Sequence, residues 1–513
     1  MLSRYFGSNT HYYLHLLGLF GLAFGIPLNK VVMSISMLFL ALNFLLEGNF
    51  KDAWQRLKSN VTGWFIFGFL ALHLIAFLWT SNLEYGLHDL RVKLPLLVIP
   101  LILIARPLKA RKDLHLVLLS FMGSTLLVSL VNFAMYQHWI GNHNYDDIRG
   151  MSLSSSHVRF AIIVAFCVAI CLYFLKYTRV LRFPLFLIIA WFAYYTFFSQ
   201  VISGASTLAG VFLVFFVYLL WGKRKIIALV LLGGSMVAIA SLSVWLFAPV
   251  HIDPALFDQL PAYTAEGNPY VHYNRLISPE SGEPIYINFC EKELARDWPK
   301  RSKIPYYGLD EKEQPVRFTL LRYLASRGLT KDAAGLASLS KKEIETIESG
   351  IGSARNYGLW GRLYSIKYQL INEQNPNGNS LLQRVEYWRA GSTIFSKNCL
   401  LGVGTGDVQD AFDQHYVESA SSLDPENRKR AHNMYLTVAL SFGVLGLLLF
   451  FFFHGHFLRQ AMARKELLAV LFLTVALISF LMEDTLETQT GVTFCALFYA
   501  LFATRIPQRK EAE

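Results

Sequence analysis

The chain has 513 residues, 54% of them hydrophobic and only 16% charged, with a formal net charge of +11. Soluble domains carry about a quarter charged residues, so a string of soluble domains is excluded, as are disordered and fibrous chains. The positive charge is no nucleic-acid footprint either: acidic and basic residues nearly cancel between Val250 and Arg430, and the excess sits in short clusters between apolar runs rather than on one soluble face.

A membrane-crossing helix needs roughly 17–25 mostly apolar residues. In chain order the candidates are Tyr12–Leu28, Val31–Leu46, Val61–Thr80, Leu94–Ile104, Leu114–Met135, His157–Leu175, Phe183–Phe198, Ser206–Trp221, Ile226–Phe247, Asn433–Phe453, Leu467–Leu481 and Val492–Phe502. That makes about twelve transmembrane helices, the fourth short, with Leu90–Leu94 available to complete it. Basic clusters stand at Lys51/Arg56/Lys58, Arg106/Lys109/Arg111/Lys112, Lys176/Arg179/Arg182, Lys223/Arg224/Lys225, Arg459/Arg464/Lys465 and Arg505/Arg509/Lys510, with two spans between each cluster and the next. Cationic loops stay on the cytoplasmic side, so all six fit there together with both termini. No cleavable signal is expected, because no small-x-small site precedes a soluble domain.

The pattern predicts an all-α polytopic membrane protein in three parts. These are 1–248, a transmembrane bundle of nine spans; 249–431, one large, mostly helical periplasmic loop domain; and 432–513, three C-terminal spans. Within the loop, Ser340-Lys-Lys-Glu343 reads as a capping box ahead of Ile344 and Ile347. Pro315–Arg327 carries Phe318, Leu321 and Leu324 on one side, and Leu381, Val385 and Trp388 fall at i, i+4 and i+7. Cys290 and Cys399 stand in an oxidising compartment, where a disulfide and two free thiols both fit their spacing.

Chemistry concentrates at Arg430-Ala-His432-Asn433-Met-Tyr435, which opens the tenth span. A histidine on the first turn of a helix sits in a field that favours anions and keeps an imidazole neutral, hence able to accept a proton. Gly443 follows at +11, almost three turns on and directly below His432, and Gly446 at +14. Helix packing accounts for the two glycines as well as catalysis does. An interfacial side chain would likewise explain a lone histidine.

A second signal is Arg384-Val-Glu386-Tyr387-Trp388-Arg389, followed by Leu401-Gly-Val-Gly-Thr-Gly406. The glycines lack the Lys-Ser/Thr of a P-loop and the spacing of a dinucleotide fold, so a tight turn is the better reading. Arg384 and Arg389 suit a phosphate or a solvated face. Arg149, His157 and Arg159 gather before and at the outer end of the sixth span, and Glu483, Asp484 and Glu487 stand in the loop before the last span, where solvated carboxylates are expected rather than a metal site.

His432-Asn433, nine residues, then Gly443-x-x-Gly446 resembles the H-[N/S/Q]-x9-G-x-x-G signature of the bacterial O-antigen ligase family. The Arg-x-x-x-Trp element with Gly-x-Gly-x-Gly about fifty residues upstream of the histidine is similar to the same family, as are twelve spans with one large loop and the segment His73–Pro100 with Trp79-Thr80-x-Asn82 and Lys93-Leu-Pro. The resemblance implies a GT-C-like, metal-independent, inverting glycosyltransferase with no cofactor in the bacterial inner membrane, its active site on the periplasmic side. The donor would be a glycan on undecaprenyl pyrophosphate and the acceptor a sugar hydroxyl of lipid A–core. His432 would then activate or orient the acceptor hydroxyl and Arg384 hold the pyrophosphate. Arg389, Arg430, Asn433, Tyr435, Arg149, His157 and Arg159 would line the substrate site. Family members often carry a further arginine in a Ser-Arg element at the outer end of an earlier span. The corresponding stretch Ser199–Ser206 has none, and Arg149, Arg159 or Lys93 are the candidates to supply that charge. An O-antigen polymerase or a protein O-oligosaccharyltransferase would use the same architecture. A transporter would need mid-bilayer charges and paired repeats, whereas the polar residues here cluster at span ends.

Overall fold

The computed structural model describes residues 8–505 except 142–144, 146–147, 153–155, 179, 249–259, 280, 355–357, 373–374 and 378–379. Arg179, Arg509 and Lys510 of the basic clusters therefore lie outside the described residues. The chain is mostly helical and forms two compact units, Met1–Leu232 with Gln383–Glu513, and Gly233–Leu382. It is a multi-pass membrane protein: among the described residues eight helices are long and apolar enough to cross a membrane.

The first unit contains α1 (Ser8–Leu28), α2 (Lys30–Glu47), α3 (Phe50–Ser59), α4 (Val61–Ile75), α5 (Leu83–Lys93), α6 (Pro95–Ala105), α7 (Arg111–Tyr136), α8 (His157–Tyr177), α9 (Arg182–Phe198), α10 (Ile202–Leu220) and the start of α11 (Lys225–Phe247). The chain returns to it for most of α17 (Ser380–Lys397), then α18 (Val408–Glu418), α19 (Met434–Ala463), α20 (Leu467–Met482) and α21 (Gln489–Ala503). Helices α9, α20 and α21 are apolar and shorter, with 17, 16 and 15 residues. The fourth expected span is α6, whose 11 residues extend only about 16 Å, short of a hydrocarbon layer about 30 Å thick. Polar α5 precedes it with only Leu94 between, which is why the apolar run is short. The core forms around α8, buried on every side from Phe160 to Phe174. Its Phe166 packs edge-on to Phe121, Phe472, Phe494 and Phe498.

Helix ends sort by charge. Arg106 pairs with Glu47 at 2.6 Å, Arg56 reaches the Ala105 carbonyl, and Asn60 and Arg464 both donate to the carbonyl end of α21. Arg111 and Lys176 both face the Tyr177 ring. These basic groups gather at one end of the first unit. The polar residues described in the next subsection gather at the other.

Helix α19 is broken. Gly443 has φ +64° and ψ −159°, outside any helical conformation. The break releases backbone groups that a buried helix cannot leave unpaired. The Cys399–Gly406 loop satisfies them: Val403 N donates to Leu440 O (2.8 Å), Gly404 N to Ser441 O (3.1 Å), and Val444 N to Cys399 O (2.7 Å). A Cβ on Gly443 would lie 2.2 Å from Leu400 O, and one on Gly402 would lie 2.4 Å from Leu440 O. Gly406 sits against the Trp79–Asn82 turn, whose Ser81 and Asn82 N–H groups donate to Asp407. Three sequence elements, the G-x-G-x-G run, the G-x-x-G of α19 and the Trp79-Thr80-x-Asn82 turn, thus form one packed joint and not a phosphate cradle. The expected stacking of Gly443 under His432 required one helix through both residues; His432 instead precedes the Asn433 N-cap, and Gly443 is itself the break. Gly443→Ala is expected to destabilise the protein by about 3 kcal/mol through forced backbone strain and clash. Gly455→Ala, where a Cβ meets nothing within 4 Å, should be near neutral. Thermal unfolding of the detergent-solubilised protein checks both.

The second unit holds the rest of α11, the antiparallel pair β1 (Val271–Ile277) and β2 (Pro284–Phe289), and α12 (Glu291–Asp297), α13 (Val316–Ser326), α14 (Ala333–Ala337), α15 (Lys341–Glu348) and α16 (Gly358–Asn372). Its core surrounds the fully buried Trp298, with Leu294, Leu320, Leu324, Leu336 and Ile347. The Ser340–Glu343 capping box forms as expected, both reciprocal hydrogen bonds being present. On α13, Leu321 and Leu324 are buried but Phe318 is exposed. On α17 the buried side is Tyr387, Ala390, Gly391 and Ile394, one step round from the expected Val385 and Trp388. Cys290 and Cys399 are free thiols.

Candidate active site

His432 stands before α19, not on its first turn. Asn433 is the N-cap, its side chain accepting from Leu436 N at 3.1 Å. His432 has φ +47°, a left-handed conformation that a non-glycine residue adopts only when its surroundings hold it. The holding group is Asp484, between α20 and α21. One carboxylate oxygen accepts from His432 N at 3.0 Å, and the other from Asn433 N at 3.0 Å and Thr437 Oγ1 at 2.6 Å. A carboxylate at a helix N-terminus also meets the favourable end of the helix dipole. Asp484 is buried, and burial pushes its carboxyl above the usual range. Asp484→Ala would leave buried N–H groups unpaired, so a loss of about 1–3 kcal/mol is expected. The same change should release the backbone of His432, and a fall in melting temperature would report the loss.

Glu483 collects the cations. Arg159 Nη2, from the first turn of α8, lies 3.2 Å from Oε1. His432 Nδ1 lies 3.7 Å from the same oxygen, and Arg384 Nη2, from α17, lies 4.0 Å from Oε2. The Glu483 side chain is only 7% exposed. Burial alone would raise its carboxyl; His432, Arg159 and Arg384 outweigh that and hold it below its ordinary value. With Nδ1 turned toward Glu483, His432 Nε2 makes no hydrogen bond to a described residue. Tyr387 stacks obliquely near the imidazole at 5.8 Å between ring centres.

The Arg-x-x-x-Trp spacing now has a geometric reason. Arg384 and Trp388 share one face of α17. Trp388 Nε1 donates to Ala431 O at 2.9 Å and Tyr387 OH to Asn427 O at 2.6 Å. The helix therefore grips the segment leading into His432 and presents Arg384 one turn away.

Glu487 organises a second, deeper set. Its Oε1 lies 2.9 Å from Lys93 Nζ and its Oε2 3.1 Å from Arg430 Nη2. Lys93 also meets Asp89 at 2.6 Å. Arg430 lies over the Tyr85 ring. Although burial opposes it, the charges of Lys93 and Arg430 hold the Glu487 carboxyl below the usual range; Asp89 beside it is raised by burial and by repulsion from Glu487. Lys93, fully buried between two carboxylates, is thus committed to structure.

The expectation that Glu483, Asp484 and Glu487 are solvated is corrected: all three are buried and engaged. The reason is that their partners come from α5, α8, α17 and α19, none of which is near them in sequence. Among the described residues no cluster of three His, Cys, Asp or Glu side chains is disposed to hold a metal ion. Of the other residues named from the sequence, Asn433 caps α19, and Tyr435 donates to Leu477 O at 3.0 Å and stacks on Phe451. Arg389 pairs with Glu386 on an exposed face, 71% of its side chain accessible, and does not join the cluster. Arg149 and His157 line a small cavity with Ser152, Tyr195 and Ser199. The acidic run Glu483-Asp-x-x-Glu487 between two apolar helices was the signal available for the missed residues, since charge next to membrane spans is costly unless it is paired.

Residues 336–451 match the O-antigen ligase family model. The chain carries an O-antigen ligase family domain. That domain contributes Arg384, the Gly402–Gly406 loop, Arg430, His432 and the break at Gly443, while Arg159, Glu483 and Glu487 lie outside the matched O-antigen ligase stretch. No curated protein matches the chain.

Proposed function

We propose that the protein transfers a glycan from undecaprenyl pyrophosphate to a sugar hydroxyl of lipid A–core, by a metal-independent, inverting displacement. One observation carries this reading: an imidazole and two guanidinium groups converge on Glu483 at the end of the bundle opposite the basic clusters. By the positive-inside rule those clusters mark the cytoplasmic face, so the site belongs on the periplasmic side of the inner membrane. His432 Nε2 accepts the proton of the acceptor hydroxyl as that oxygen bonds to the anomeric carbon. The bond from that carbon to the pyrophosphate oxygen breaks, and the electron pair leaves on the pyrophosphate. Arg384 and Arg159 receive the growing negative charge; guanidinium groups suit it because their donors fork onto phosphate oxygens. Such preorganised cations contribute several kcal/mol to a transition state.

Arg159 stands in for the arginine absent from Ser199–Ser206. A Cβ on Gly204 would lie 2.6 Å from Ala161 Cβ, so α10 touches α8 there, two residues from Arg159. The side chain therefore emerges from α8 where a neighbouring span would otherwise supply it. Lys93, which is engaged by Asp89 and Glu487, does not fill this role.

The test is reconstitution with purified lipid-linked glycan and lipid A–core. Wild type should transfer with inversion at the anomeric centre, and a product that retains the donor configuration overturns the single displacement. A polymerase or a protein O-oligosaccharyltransferase would use the same site with another acceptor. A deletion strain separates them: loss of long-chain lipopolysaccharide with polymerised glycan accumulating on its lipid carrier indicates a ligase, and single repeats left on core indicate a polymerase.

A further inference from the structure

Helix α16 (Gly358–Asn372) carries Arg362 and Lys367 and no acidic residue. Arg362, Ser365 and Gln369 fall at i, i+3 and i+7 and form one polar row. Leu359, Trp360, Leu363, Tyr364, Ile366 and Leu370 occupy most of the rest of the circumference, with Lys367 between Leu363 and Trp360, and none of them is fully buried. A helix with a narrow polar row and a broad, incompletely covered apolar face needs an apolar surface to lie on.

Helix α11 identifies that surface. It is long and apolar enough to cross a membrane, yet only Ala228 on it is buried, and Met236 and Ile239 are 72% and 66% exposed. Its sides therefore face lipid. Twenty residues separate Lys225 from Trp245, about 30 Å of helix, which matches the hydrocarbon thickness. Trp245 thus falls at the membrane–water boundary at the end of α11 remote from Lys225, the depth where tryptophan collects. Trp360 of α16 stacks on Trp245 with ring centres 5.8 Å apart and planes 14° apart. Tyr364 meets Trp245 edge-on at 5.0 Å, and Lys367 Nζ lies 4.8 Å from the Trp245 ring. Stacking at this distance brings α16 to the depth of Trp245.

We propose that α16 is a monotopic interfacial helix, its apolar face in the acyl boundary of the bilayer, Arg362 of its polar row at the lipid phosphates, and Lys367 beside Trp245 at the same boundary. The inference rests on α11 crossing the membrane and is independent of the catalytic reading. The partner is the lipid surface itself, and the consequence is that the second unit is held to the membrane by α16 as well as by α11.

Site-directed spin labelling of the full chain tests this in phosphatidylethanolamine–phosphatidylglycerol vesicles. The background is Cys399→Ser, which removes the exposed thiol; the other four cysteines are buried. Nitroxides are placed at Ile239→Cys on α11, Leu363→Cys on the apolar face of α16 and Gln369→Cys on its polar row, with Leu359→Cys repeating the apolar reading if the Leu363 label disturbs packing. Oxygen should relax the labels at 239 and 363 more than an aqueous nickel chelate does, and the order should reverse at 369. A label at 363 relaxed mainly by the nickel chelate, while 239 still favours oxygen, overturns the interfacial helix and leaves the span intact. A label at 363 and 359 shielded from both reagents shows protein cover instead of lipid and overturns it too. Nickel access at 239 removes the span and the inference with it.

Discussion

Replacing His432 with alanine is expected to lower glycan transfer by about 10²–10⁴-fold, the usual contribution of a positioned general base. The residue is held from both sides. Asp484 fixes its backbone in a left-handed conformation, and Glu483 faces Nδ1, which leaves Nε2 as the nitrogen that can take a proton. His432→Ala removes that acceptor but none of the carboxylates or arginines, so the protein should still fold and still bind lipid-linked donor. Arg384→Ala and Arg159→Ala are expected to act on the other half of the step. Each should lower turnover by about 10²–10³-fold, comparable to removing one preorganised donor at a developing anion. If the two arginines act on the same pyrophosphate, the double variant should fall short of the product of the single effects. Single-turnover transfer in the reconstituted system measures all four proteins. Unchanged transfer in His432→Ala and Arg384→Ala would remove the site assignment while leaving the membrane architecture untouched.

The second large effect concerns stability. Glu487→Ala should destabilise the protein by about 3–5 kcal/mol, the range for removing one partner of a buried ion pair. The Glu487 side chain is 6% exposed and Lys93 is not exposed at all. Removing the carboxylate leaves Lys93 facing only Asp89, and leaves Arg430 without the oxygen that holds it at 3.1 Å. The loss arises from uncompensated buried cations, not from the absence of one contact, so Glu487→Leu combined with Lys93→Met should recover part of it. Thermal unfolding of the single and double variants checks the recovery. A double variant as unstable as the sum of the two singles would show that the pair is not coupled.

Much of the molecule is readable from local patterns. The apolar runs of α7, α8 and α19 are long, and length with composition is enough to mark a helix that crosses a membrane. The capping box at Ser340 is readable because both of its partners lie within four residues. Arg384 and His432 are readable from their spacing to a tryptophan and to two glycines. The break at Gly443 is not, because the apolar run Asn433–Phe453 reads as one continuous helix; only the loop that fills the gap reveals it. Arg389 has the same local surroundings as Arg384, and the turn of α17 alone separates a charge at the site from one in solvent.

By itself, the sequence determined the membrane class, the positions of most apolar helices and the two motifs on which the proposed chemistry rests, since each of these is a property of neighbouring residues. Tertiary structure alone decided that Glu483, Asp484 and Glu487 are buried, that Arg159 meets the same carboxylate as His432, and that Lys93 is occupied elsewhere. Arg159 and Glu483 are 324 residues apart in the chain. An ion pair of that kind has no local signature: the energy that drives it, relief of buried unpaired charge, exists only once the helices have packed.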